Sequence, residues 1–290
     1  MSGLVFSSPS FADSMSTFLS GELRKAVSSA LAPEQNKAYQ PGSLNVKESR
    51  ALYSAEQQKL TFDGCKDQFP LATPIELSIV DAALKPTPLC SDNFAVLYSL
   101  TSKTPLVVVQ KLNAALVRDA KGEQRTDQFF PDPRLRRAGR AELDDYRGND
   151  PATDRGHMAP AADAPNPRAM AQSFSLSNMV PQDPQLNRKG WADIEKATRH
   201  YARRAPGDVF VFTGPLFDPG FTSVGPNKVW KPSRLFKLIY DASSGRAWAY
   251  LMPNAPASVQ KPIDYPTFVQ QTGLRLLDHL PLKGSVAHRW

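Results

Sequence analysis

The feature that most constrains this chain is a series of short apolar runs, each ended by a turn signal. Phe94–Tyr98, Leu106–Val109, Asp208–Phe212, Leu235–Tyr240 and Ala247–Leu251 are four to six residues long and rich in β-branched or aromatic side chains. Runs of that length and composition form strands rather than helices. Thr101 to Pro105 turns the first pair into a hairpin, Thr213-Gly214-Pro215 ends the third run, and Asp241 to Gly245 turns between the last two. Helices are expected over Gly190–Arg204 and Phe268–Leu280. Strands that return through turns, with helices set apart from them, give an α+β fold: a central antiparallel sheet flanked by helices. Residues 120–153 are broken by Pro131, Pro133, Gly139, Gly148 and Pro151 and read as loop, with six arginines from Arg125 to Arg147. Residues 1–60 are polar, carry one candidate helix (Phe18 to Leu31) and no chemistry. They read as an N-terminal extension, which leaves 61–290 as the folded domain.

A net charge of +7 favours polyanionic partners such as nucleic acid, acidic lipid or heparin-like polymers. No apolar run approaches the roughly 18 residues that a membrane-spanning helix needs, so no membrane partner is expected. Cys65 and Cys90 lie 25 residues apart. They form a disulfide if the compartment is oxidising, and are otherwise two separate buried thiols. Residues 1–12, with Leu4-Val5-Phe6 ahead of small residues up to Ala12, read as the remnant of a signal peptide without its basic start. A secreted or periplasmic location is the expectation that follows.

One stretch stands apart: Asp154-Arg155-Gly156-His157-Met158-Ala159-Pro160, holding one of only four histidines. Thirty residues on comes Asn187, then Glu195 and Arg199 at offsets of eight and four. On a helix these offsets set an amide, a carboxylate and a guanidinium near one face. The plain alternative is an exposed helix with an i,i+4 salt bridge.

Asp154 to Pro160 resembles the DRGH signature of the DNA/RNA non-specific endonucleases, within the ββα-metal (His-Me finger) superfamily. The downstream pattern Ser177-Asn178-Met179-Val180-Pro181-Gln182, then Asn187, Trp191 and Glu195, matches that family in order and spacing. The similarity runs from about residue 90 to the C-terminal helix. It extends to secreted bacterial nucleases and to mitochondrial endonuclease G. The resemblance implies a ββα-metal active site in which His157 is the general base and Asn187 the sole direct protein ligand of Mg²⁺, with Mn²⁺ as a substitute. It implies that Glu195 acts on the metal through water, that Asn178 is a supporting polar residue near the histidine, and that Arg155, Arg199 and Arg125 contact substrate phosphate. Arg134, Arg136, Arg137 and Arg140 rival Arg125 for its role. Gly156 suits a tight turn beside the histidine, while Met158 and Trp191 are packing residues.

The chemistry agrees with those roles. An imidazole with a pKa near 6.5 can take a proton from water at neutral pH. Magnesium keeps most of its waters, so one neutral oxygen ligand suffices beside an orienting carboxylate. Arginine forks match phosphate oxygens, and contacts to the backbone alone read neither base nor sugar. The implied function is a sugar-non-specific endonuclease acting on DNA and RNA. Alternatives are a narrower phosphodiesterase, a nuclease toxin or effector paired with an inhibitor or immunity protein, and an inert nucleic-acid-binding protein. A homodimer is compatible with all of these.

Overall fold

The computed structural model describes residues 44, 46–149 and 151–284. The expected helix at Phe18 to Leu31, the signal-like residues 1–12 and His288 lie outside the described residues. In chain order the regular elements begin with α1 (Val46–Ala51), β1 (Pro86–Cys90), β2 (Ala95–Ser99), β3 (Thr104–Leu112) and α2 (Ala114–Asp119). Then come β4 (Asp154–His157), α3 (Pro167–Ser173), β5 (Met179–Gln182) and α4 (Ala192–Ala202). The chain continues through β6 (Val209–Leu216), β7 (Thr222–Val224), β8 (Val229–Lys231), β9 (Arg234–Asp241), β10 (Arg246–Pro253), β11 (Ile263–Asp264) and α5 (Tyr265–Thr272).

Seven strands form one antiparallel sheet in the order β1-β2-β3-β6-β9-β10-β11, and β4-β5 and β7-β8 form separate two-stranded ribbons. The expected hairpin is β2-β3, with Ala95 opposite Val109 and a bulge at Leu97/Tyr98. Strand β1, which carries Pro86 and Pro88, sits at the sheet edge, the place where missing N–H donors are tolerated.

The sheet is buried on both faces, and its strands alternate between two cores. Phe210, Phe212, Phe236, Leu238 and Tyr240 pack with Phe69, Phe268 and Leu277 on one side. Val209, Val211, Leu235 and Ile239 pack with Val180, Leu186, Trp191 and Ile194 on the other. The period of two along β6 and β9 therefore serves two layers at once. The second face carries β4, β5 and α4, and with them the candidate site.

Two details depart from the sequence reading. The C-terminal helix spans Tyr265–Thr272 rather than reaching Leu280: Asp264 caps it through the Thr267 N–H, and Gly273 stops it in the left-handed region at φ 74. Pro167–Ser173 form α3, a helix not among those expected, which starts with Asn166 as cap and Pro167 in its first turn. Within 44–60, Arg50 donates to the Pro133 carbonyl (2.7 Å) and Gln57 to Asp92 (2.8 Å). Cys65 and Cys90 are joined in a disulfide with Cα atoms 5.5 Å apart, tying the helical turn Asp63–Gln68 to β1.

Candidate active site

Strand β4 is the DRGH segment itself. It pairs with β5, Asp154 opposite Gln182 and His157 opposite Met179. Gly156 is needed here for close approach rather than for a turn: a Cβ would collide with the Gln182 side chain. Gly156→Ala is therefore expected to cost about 1–3 kcal/mol by overpacking and to displace His157 with the strand. Urea unfolding followed by circular dichroism checks this, and an unchanged midpoint would contradict it.

The chain just past His157 is clamped by Asn178. Its Oδ1 accepts the Ala159 N–H (2.9 Å), its Nδ2 donates to the Ala159 and Ser173 carbonyls (2.9 Å each), and its own carbonyl accepts the Met158 N–H (3.0 Å). This carboxamide is wholly buried and has used both its polar atoms. Its bonds hold the chain just past His157.

His157 is 9% exposed, and its ring completes an aromatic triangle with Phe129 (5.9 Å) and Phe174, the latter edge-on at 5.0 Å. Its Nε2 is buried and has no hydrogen-bond partner among the described residues. Burial, reinforced by the Arg125 and Arg155 guanidiniums, lowers its pKa to about 3, so the ring is neutral at neutral pH. Arg155 lies over Phe129 (3.8 Å) and Arg125 over Phe174 (4.9 Å), so the rings that hold the histidine also hold the two arginines. Among the rival arginines, Arg134 is buried in an ion pair with Asp132 and Arg140 pairs with Glu142. Neither they nor Arg136 and Arg137 act on His157, whereas Arg125 does.

Asn187 is presented by a helix that Asp183 starts. The Asp183 side chain accepts the Leu186 N–H (2.8 Å), and Pro184 follows as the first helical residue. The first turns are π-helical, Leu186–Trp191, and lead directly into α4. In a regular α-helix, residues eight apart stand about 80° out of phase. The wider π turn takes up that difference and brings Asn187 toward the line of Glu195. Asn187 Nδ2 donates to Asp154 Oδ2 (2.9 Å), which fixes the amide against β4 and leaves Oδ1 without a partner among the described residues. Arg188 grips the same carboxylate with two further bonds (2.9 and 2.7 Å).

Glu195 is partly buried and accepts no hydrogen bond among the described residues. Burial raises its pKa to about 7, with Asp163 adding to the rise and Lys237, Arg199 and Arg125 opposing it. Arg125 thus acts on both His157 and Glu195, which places the imidazole and the carboxylate in one electrostatic neighbourhood. Arg199 donates to the buried Asp163 (2.9 Å). Among the described residues no group of three His, Cys, Asp or Glu side chains forms a metal cage. One amide oxygen facing no donor suits a hard divalent cation that keeps its own waters. A transition metal wanting several nitrogen or sulfur ligands does not fit.

Sequence reasoning missed three residues here: Asp154 as the partner of Asn187, Asp163 as the partner of Arg199, and Lys237. Lys237 is 1% exposed in the middle of β9, donates to Thr213 Oγ1 (2.9 Å) and faces the Trp191 ring at 5.1 Å. Burial pushes its pKa down, while Glu195 and Asp163 pull it back up. A lysine inside the apolar run Leu235 to Tyr240 was the available signal, since a buried strand accepts a charge only where a partner awaits it.

The sequence model of the DNA/RNA non-specific endonuclease family matches residues 76–281. Human mitochondrial endonuclease G is 34% identical over 187 residues, covering 60% of this chain and 62% of that protein. Mitochondrial nuclease 1 of Schizosaccharomyces pombe is 31% identical over 208 residues, covering 63% of each. The chain therefore spans about three-fifths of the length of these relatives. A chain of the crystallised EndoG/EndoGI complex has the same fold, with a TM-score of 0.63 at 24% identity, covering 71% of this chain and 91% of that one. The expectation of a secreted or periplasmic protein is overturned by these relatives, which are named as mitochondrial nucleases.

Proposed function

Because the chain belongs to the DNA/RNA non-specific endonuclease family, we propose that it hydrolyses phosphodiester bonds of DNA and RNA with His157 as general base and Mg²⁺ held by Asn187. The observation that carries this reading is the buried, neutral imidazole of His157, whose Nε2 has no partner and which two arginines flank. A neutral imidazole has its nitrogen open to a proton, and the negative charge of a bound phosphate would offset the two arginines that depress its basicity, so that it can take the proton of an attacking water.

In this reading Arg155, Arg125 and Arg199 fork onto phosphate oxygens and hold the diester in place. His157 Nε2 takes the proton of the attacking water. Asn178 and the β4-β5 ribbon keep that nitrogen in position. Asn187 Oδ1 would hold the cation, and the Glu195 carboxylate would face its outer shell. A divalent cation there supplies charge neutralisation at the phosphate and at the departing oxygen. None of these groups reads a base or a 2′-hydroxyl, which supports action on both DNA and RNA. EndoG of the crystallised complex is subject to inhibition, and a protein inhibitor is the corresponding partner proposed for this chain.

The direct test is incubation of the purified protein with supercoiled plasmid and with RNA, with and without a chelator. Nicking of the plasmid and shortening of the RNA are expected, both stopped by EDTA and restored by Mg²⁺. Retarded but intact nucleic acid under every metal would leave a binding protein instead. Asn187→Ala is expected to raise the Mg²⁺ concentration for half-maximal rate by about 10–100-fold, the range for lost ligand support. An unchanged Mg²⁺ titration would remove Asn187 from the metal.

A further inference from the structure

A cavity of about 560 Å³ opens between α2 and α4, lined by Arg118, Lys121, Arg199, His200 and Arg203 over a floor of small apolar side chains. No carboxylate lines it. Arg199 is committed to Asp163, and Arg118 only approaches its neighbour Asp119 at 4.0 Å. Lys121 and Arg203 are exposed and form no ion pair among the described residues.

Helix ends explain part of this arrangement. Arg118 lies in the last turn of α2, Arg199 and His200 in the last turn of α4, and Arg203 is its C-cap. A cation near a C-terminus is favourable, but that benefit saturates within one turn and does not call for four cations around a shared hollow. Crowded like charges repel unless a polyanion relieves them. Arg199 also acts on Glu195, so one guanidinium belongs both to the cavity wall and to the candidate active site.

We infer that this cavity is a second phosphate-binding site, which seats a backbone phosphate flanking the scissile one and so lengthens the footprint on nucleic acid. It rests on the nuclease reading of the neighbouring site for its relation to the scissile bond. Its volume falls in the range of sites that take a nucleotide-sized group. The recognition is by charge and fork geometry and carries no base preference.

The test is fluorescence anisotropy of the full chain with a labelled 20-base-pair duplex in EDTA, over a series of salt concentrations. The double variant Lys121→Gln/Arg203→Gln removes two exposed charges without opening the core. Loss of two phosphate contacts lowers the slope of log affinity against log salt by about 2, with binding about tenfold or more weaker at moderate salt. A control of equal charge change, Lys66→Gln/Arg275→Gln, lies on segments that do not line the cavity and is expected to leave the slope at its wild-type value. A wild-type slope in the first variant, or an equal fall in the control, overturns the site. Binding is read without metal or cleavage. A protein that never cuts would therefore sink the nuclease reading while leaving the anisotropy result to decide this one.

Discussion

His157→Ala is expected to lower cleavage of plasmid DNA by about 10²–10⁴-fold, the contribution of a positioned general base, while affinity for DNA in EDTA stays within about twofold. The separation is the informative part. His157 offers a neutral ring, and phosphate affinity comes from Arg125, Arg155 and Arg199, none of which needs the imidazole to hold its place. Arg155 and Arg125 rest on Phe129 and Phe174, and Arg199 rests on Asp163. Near-wild-type turnover would remove His157 from the chemistry.

The same variant has a signature in stability. The unfolded histidine takes its proton near pH 6.5, whereas the folded one, lowered by burial and by Arg125 and Arg155, does so at about 3. Between those values the unfolded chain binds the extra proton, so this residue costs stability progressively as pH falls from about 6.5 to about 3. Unfolding midpoints of the wild type should therefore drop more steeply over that window than those of His157→Ala. Parallel curves would mean that the ring is not held neutral.

Asp132→Ala is expected to destabilise the fold by about 3–5 kcal/mol, the cost of leaving a buried charge without its partner. Asp132 and Arg134 are 1% and 0% exposed, and the guanidinium meets the carboxylate at 2.9 and 2.6 Å. Burial alone would raise the Asp132 pKa, yet Arg134 and the Ser177 hydroxyl hold it below the usual carboxylate range. Arg134 also donates to the Cys90 carbonyl and lies over the Tyr53 ring at 3.8 Å. Asp132 accepts from Ser175 (3.2 Å) and Ser177 (2.6 Å), immediately ahead of Asn178. The pair thus anchors the turn from which Asn178 clamps His157. Urea unfolding measures the loss. The double variant Asp132→Ala/Arg134→Met should recover part of it, because the stranded charge is then gone. A single variant within about 1 kcal/mol of wild type would show that the pair is not structural.

How far the sequence disclosed this molecule depends on the range of each interaction. The β2-β3 hairpin and strands β6, β9 and β10 were visible because β-branched and aromatic residues cluster between strong breakers. Strand β1 was not, because Pro86 and Pro88 argue against a strand everywhere except at an edge, and edge position is a property of the whole sheet. Strands β4 and β5 are four residues each, too short for a period to register. Helix α3 hid behind Asn166-Pro167, which reads as a loop yet is also a cap and a first helical residue. At the site, the motif residues could be named from the family resemblance, but their partners could not. Asp154 to Asn187, Asp163 to Arg199 and Asp132 to Ser177 join residues between 33 and 45 positions apart. No local pattern encodes such pairs. The π turn that brings Asn187 toward Glu195 was equally hidden, since the offset of eight residues alone suggested a common face without it.

The proposed chemistry requires a single phosphorus flanked by the imidazole of His157 and a cation on Asn187. A crystal structure of His157→Ala with Mg²⁺ and a short DNA duplex tests this most directly, because the substrate stays uncut. The expected density has the cation on Asn187 Oδ1, a backbone phosphate oxygen on that cation, and the space left by the deleted imidazole on the opposite side of the same phosphorus. A cation seated away from Asn187, or a phosphate with residue 157 outside its attacking side, would contradict the account.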